Sequence, residues 1–137
     1  MNIKNTPSPR AVKEFLSEAQ EFVEALSNVL MDIDASLRDD DEVDPDLINE
    51  AFRCWHTLKG LSSTFGAEEL SHFAHREESL LDDIRLGRVP LDAATLDKLL
   101  AAVDVIVDAL NQISQSGQLR DIKLSRPEPP GIADGPV

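Results

Sequence analysis

Tyrosine is missing from the 137 residues, tryptophan and cysteine occur once each, and aromatic residues make up only 4%. With so few flat side chains the chain has no platform on which nucleic-acid bases could stack. Cations are scarce as well: 13 Lys and Arg stand against 26 Asp and Glu, a formal net charge of −13. Nucleic-acid phosphates and anionic membrane surfaces would both be repelled. No apolar run approaches the roughly 18 residues of a membrane-spanning helix. The start, Met1-Asn2-Ile3-Lys4-Asn5-Thr6-Pro7, lacks the apolar stretch of a signal peptide. The lone Cys54 excludes an internal disulfide and suits a reducing cytoplasm, so a cytoplasmic location is expected. There is no glycine-rich phosphate loop or other nucleotide fingerprint, so no cofactor is expected on this chain.

Helical periodicity is abundant. Ser8-Pro9 places a capping hydroxyl before a proline at the first helical position, where the missing N–H costs nothing. From there Val12, Phe15, Leu16, Ala19, Phe22, Val23, Leu26, Val29, Leu30, Ile33 and Leu37 step by threes and fours, one apolar face of a long helix. The acidic run Asp39-Asp40-Asp41-Glu42 repels itself and reads as a solvated loop. It lacks the glycine and spaced carboxylates of a calcium loop. Asp44-Pro45 repeats the starting device for a second helix, and Gly66 is its natural stop. Glu68 and Glu69 favour the positive end of a third helix, with Leu70, Phe73, Ala74, Leu80, Leu81 and Ile84 along its apolar line. Asp92 caps a fourth, running from Leu96 to Ile113.

No strand pattern or internal repeat occurs. The expected fold is therefore all-α: a monomeric, antiparallel up-down four-helix bundle over residues 9–117, after a tail at 1–8. Residues 118–126 have room for a short fifth helix, and the Pro/Gly-rich stretch from Arg126 to Val137 reads as a linker. Cys54 lies near the apolar side of its helix and is expected to be a small buried filler.

The chemistry concentrates in the second helix, at Trp55-His56-Thr57-Leu58-Lys59-Gly60. Leu47, Ala51, Trp55, Leu58 and Phe65 form the buried stripe, which leaves His56 on the flank beside Phe52, Lys59, Gly60 and Ser63. A glycine inside a helix costs about 1 kcal/mol against alanine. Gly60 either keeps space beside the ring or lets another helix approach closely. On the third helix Ser71, His75, Glu78 and Asp82 make a second, polar stripe. His56 lies about ten residues before the Gly66 turn, and His75 and Glu78 about nine and twelve after it. At ~1.5 Å per residue on antiparallel helices, the three reach the same height. Glu78 is then placed to accept a hydrogen bond from Nδ1–H of His56, which fixes the tautomer and leaves Nε2 with a basic lone pair. Lys59 would bring positive charge to an anion on Nε2, and the product would be a phosphohistidine.

Other readings of the same residues fare less well. Glu69-Leu70-Ser71-His72 has the Glu-x-x-His spacing of di-iron bundles, but no second copy occurs. His72 and His75 are too few for a zinc site that wants three or four ligands. A purely structural or interaction bundle with solvated polar faces is the exception: on these residues alone it is the leading reading.

The ordered set His56-Thr57-Leu58-Lys59-Gly60, Thr64-Phe65-Gly66, Leu70, His75, Glu78, Leu81 and Arg85 resembles a known family. It is similar to the histidine phosphotransfer (HPt) domain at the N-terminus of CheA-type chemotaxis kinases. The likeness is most specific over residues 51–87, and the fold reading extends it to about 9–114. It implies that His56 is the phosphoacceptor, that Glu78 orients it, and that His75 and Lys59 complete a charged network. It implies a CheA-type kinase catalytic domain as donor, with ATP and Mg held on that partner, and a CheY-like response-regulator receiver as acceptor. The chain would be a phosphocarrier and its parent a histidine kinase; a free-standing phosphorelay protein is the alternative. Leu61 stands where many such sequences have a small residue, which bears on which partner docks.

Overall fold

The computed structural model describes residues 7–124. Four helices follow in order, α1 (Pro9–Arg38), α2 (Pro45–Phe65), α3 (Glu68–Arg85) and α4 (Ala93–Ser116), and the described residues contain no strand.

Each start is set by its local chemistry. Ser8 Oγ accepts from the Ala11 amide at 3.1 Å, Asp44 Oδ1 from Asp46 at 2.9 Å and Asp92 Oδ1 from Thr95 at 2.9 Å. These bonds satisfy amides that the first helical turn leaves without partners. α3 has no side-chain cap and relies on Glu68 and Glu69 in its first turn. The α2–α3 turn is the tightest. Gly66 sits in the left-handed region at φ 86°, and Ala67 donates back to the Ser62 carbonyl at 2.8 Å. Any other residue at Gly66 would be strained there.

The short connections 39–44, 66–67 and 86–92 force antiparallel neighbours. α1 is the spine, with α2 on one side and α4 on the other, while α3 lies along α2 and touches α4 only lightly. Trp55 is wholly buried and meets Phe73 edge-on at 5.8 Å, which clamps α2 to α3. Cys54 is buried, as its place near the apolar stripe suggested.

The short fifth helix expected at 118–126 does not form over 118–124; residues 125 and 126, and the linker reading beyond them, lie outside the described residues. After Gly117 (φ 72°) the chain doubles back along α4 as an irregular strap. Leu119 and Ile122 are buried three residues apart, which mimics helical spacing. Asp121, at φ 60°, breaks any helix between them. The Gln112 carboxamide then holds the strap from both sides, donating to the Lys123 carbonyl at 2.6 Å and accepting from its amide at 3.1 Å. Leu119 is 1% exposed, so Leu119→Ala should cost about 2–4 kcal/mol. Urea unfolding measures it, and a loss under 0.5 kcal/mol would show that the strap is an ornament to the bundle.

Candidate functional site

The site grows from one helical step on α2. Trp55 points inward and is 0% exposed, whereas the side chain of the next residue, His56, is 62% exposed. α3 runs alongside and brings Glu78 to the same height. Glu78 is buried at 7% exposure on the α2–α3 seam, and its carboxylate is the hub of the site. His56 Nδ1–H donates to Glu78 Oε2. Lys59 Nζ donates to Oε1 at 2.7 Å, and His75 Nδ1 stands 3.5 Å from the same oxygen. The four residues His56, Lys59, His75 and Glu78 expected to meet therefore do meet. The His75 contact is at charge-pair distance rather than hydrogen-bond distance.

The carboxylate's ionisation follows from its partners. Burial pushes the Glu78 pKa up, but the hydrogen bonds from Lys59 and His56 together outweigh it and leave the group below the usual glutamate range. Glu78 is thus ionised at neutral pH. A carboxylate engaged at Nδ1 holds the ring in the tautomer whose free lone pair is on Nε2. That nitrogen belongs to an exposed side chain.

Gly60, one turn on, separates the two earlier explanations of its presence. A Cβ built there meets nothing within 4 Å, so none of the described helices packs closely against it. Close packing is not its reason, and the open space lies outside the bundle. Nearby, Ser71 Oγ donates to the Lys59 carbonyl at 3.3 Å, a further tie between α3 and α2.

Two features go beyond the sequence reading, which places Phe52 only on the same helix face as His56. Phe52, one turn before His56, lies nearly parallel to the imidazole, at 9° with centroids 6.3 Å apart, and Arg85 covers the Phe52 ring at 4.5 Å. Glu77, beside Glu78, turns into the protein: its Oε1 is buried without a hydrogen-bond partner, and burial pushes its pKa up to about 7. The signal for Glu77 was present, since it stands four residues from both Phe73 and Leu81 on the apolar line of α3. Among the described residues no group of three or more His, Cys, Asp and Glu is arranged to hold a metal ion, and no helix is long and apolar enough to cross a membrane.

The structure is thus an all-helical bundle that displays a carboxylate-tethered imidazole on its flank. The chain belongs to the Hpt domain family, which matches residues 10–116. It is 40% identical over 106 residues to the chemotaxis protein CheA of Treponema pallidum, covering 77% of this chain and 12% of that protein. To the CheA of Bacillus subtilis it is 34% identical over 109 residues, covering 79% of this chain and 16% of that one. Among solved structures, the CheA phosphotransferase domain from Thermotoga maritima superposes with a TM-score of 0.70 at 30% identity, covering 79% of this chain and 98% of that domain. The chain thus spans well under a fifth of these CheA proteins and nearly the whole of the solved phosphotransferase domain.

Proposed function

We propose that the chain carries phosphoryl groups on His56 in a chemotaxis-type two-component system in the cytoplasm. The observation that supports this most is the buried, ionised Glu78 holding Nδ1 of an exposed imidazole, with Lys59 on the same carboxylate. Imidazole is a competent nucleophile when its tautomer is fixed. The Nε2 lone pair attacks the γ-phosphorus of ATP, an N–P bond forms and the bond to the ADP oxygen breaks. The ring, now carrying phosphoryl at Nε2 and a proton at Nδ1, is cationic, and Glu78 stabilises it. In the second step an aspartate carboxylate of a CheY-like receiver attacks phosphorus. The N–P bond breaks, and the ring returns to the neutral Nδ1–H tautomer. Lys59 offsets negative charge at the phosphoryl oxygens, and the open side of Gly60 gives them room.

Phosphoryl transfer depends mostly on positioning and charge around the nucleotide. In this reading a CheA-type kinase domain supplies both, together with ATP and Mg, and this chain, acting as a monomer, supplies the acceptor. The test is incubation with labelled ATP, with and without such a kinase core. Label should enter only in the presence of the kinase and should be acid-labile and base-stable, as a phosphoramidate is. Label taken up by clean protein without kinase would sink the proposal, and no label under either condition would favour a purely structural bundle.

A further inference from the structure

The Glu78 hydrogen bond fixes one atom of the His56 ring but not its plane. A ring on a side chain 62% exposed can still swing about that bond and carry Nε2 with it. The lone pair lies in the ring plane, so in-line attack needs the plane held as well as the tautomer. The contact that could hold it comes from Phe52. Its ring is 9° from parallel to the imidazole with centroids 6.3 Å apart, within the range of displaced stacking. Phe52 is only partly buried and is itself covered from α3, where the Arg85 guanidinium carbon lies 4.5 Å from its centroid. Arg85 in turn donates to Asp82, one turn back on α3. α3 therefore reaches α2 at two heights, with Glu78 on His56 and Arg85 on Phe52.

We propose that Phe52 is a positioning residue that holds the plane of the His56 ring, and that Arg85, anchored by Asp82, acts through Phe52. This rests on His56 being the phosphoacceptor. None of the three need touch the phosphoryl group.

The test has two arms. In the first, phosphorylation by a CheA-type kinase core is followed for Phe52→Leu, Phe52→Tyr, Arg85→Ala and the Phe52→Leu/Arg85→Ala pair. Small misplacements of a reacting group cost up to about 100-fold. An exposed ring still held at Nδ1 should lose less, so we expect kcat to fall about 5–10-fold in Phe52→Leu with KM within about twofold. Phe52→Tyr keeps the ring and should keep the rate. Arg85→Ala should lower kcat alone but add nothing in the Phe52→Leu background. An equal loss from Arg85→Ala in both backgrounds, or a loss confined to KM, would mean that Arg85 meets the partner directly and would overturn its assigned role. An unchanged kcat in Phe52→Leu would overturn the role of Phe52.

The second arm needs no kinase. NMR of the unphosphorylated chain reads the ring protons of His56, which Phe52 shifts by its ring current, and the relaxation of their carbons. Phe52→Leu should remove the shift and loosen the ring while circular dichroism stays unchanged; an equally rigid ring would refute the proposal. If the parent chain took no label at all, the phosphoacceptor reading would fail, and this arm would still decide whether Phe52 restrains His56.

Discussion

His56→Gln should take up no phosphoryl label, and Glu78→Gln should take it up about 100-fold more slowly or less, both in folded bundles. Glutamine at 56 keeps size and polarity but has no nucleophilic nitrogen, so nothing at that position can form the N–P bond. Label persisting in His56→Gln would put the acceptor elsewhere, with His72 and His75 the remaining histidines. Glu78→Gln is the subtler change. The amide keeps the shape but loses the negative charge that holds the Nδ1 proton and stabilises the charged ring formed on transfer. Positioned acid–base partners contribute roughly 10²–10⁴-fold. The low end or below is expected here, because imidazole is already a fair nucleophile and the kinase supplies most of the transition-state stabilisation. The same substitution should shift the tautomer balance of His56, seen in its ring ¹⁵N chemical shifts. Identical tautomer populations in the parent chain and Glu78→Gln would remove Glu78 from the chemistry. The Lys59 bond to Glu78 Oε1 would then be a structural tie.

The second large effect concerns stability. Glu77→Met should stabilise the bundle by about 2 kcal/mol at pH 8 and by much less at pH 4.5. Burial raises the Glu77 pKa from 4.5 to about 7, and its Oε1 has no partner to offset the loss of water. Between those two values the folded chain keeps a proton that the unfolded chain has released. Stability therefore falls as pH rises from about 4.5 through about 7, and is flat above that. One pKa unit corresponds to about 1.4 kcal/mol, and part of the full figure is discounted because the side chain keeps some access to water. Methionine is unbranched, fills a similar volume and has no charge to desolvate. Urea titrations of both proteins at the two pH values measure the difference. An equal gain at both would mean that the ionisation of Glu77 carries no cost in the fold.

Glu77 and Glu78 also show where sequence reasoning runs out. They are adjacent and identical, yet one carboxyl is pulled below the usual range and the other pushed well above it. The difference lies in their partners: Lys59 and His56 hydrogen-bond the Glu78 carboxylate, whereas Glu77 Oε1 is buried with no hydrogen-bond partner. Helix starts and stops were legible because capping is local: Ser8, Asp44, Gly66 and Asp92 act within four residues of themselves. The meeting of His56 with Glu78 was legible too, because a tight turn at Gly66 converts residue counts into heights. The strap was not, because Leu119 and Ile122 repeat at a helical interval and only the fold reveals that Gln112 pins the chain beyond them. The cover of Arg85 over Phe52 was equally hidden. It depends on the side-chain path of a long cation across two helices, which spacing does not specify.

The flank position of His56 carries one more consequence. If His56 is the phosphoacceptor proposed above, its one exposed ring would have to meet donor and acceptor in turn, because Nε2 can face only one reacting centre at a time. Throughput would be governed by how quickly the first lets go as much as by how quickly the bond is made, and a partner that binds too well would act as a plug.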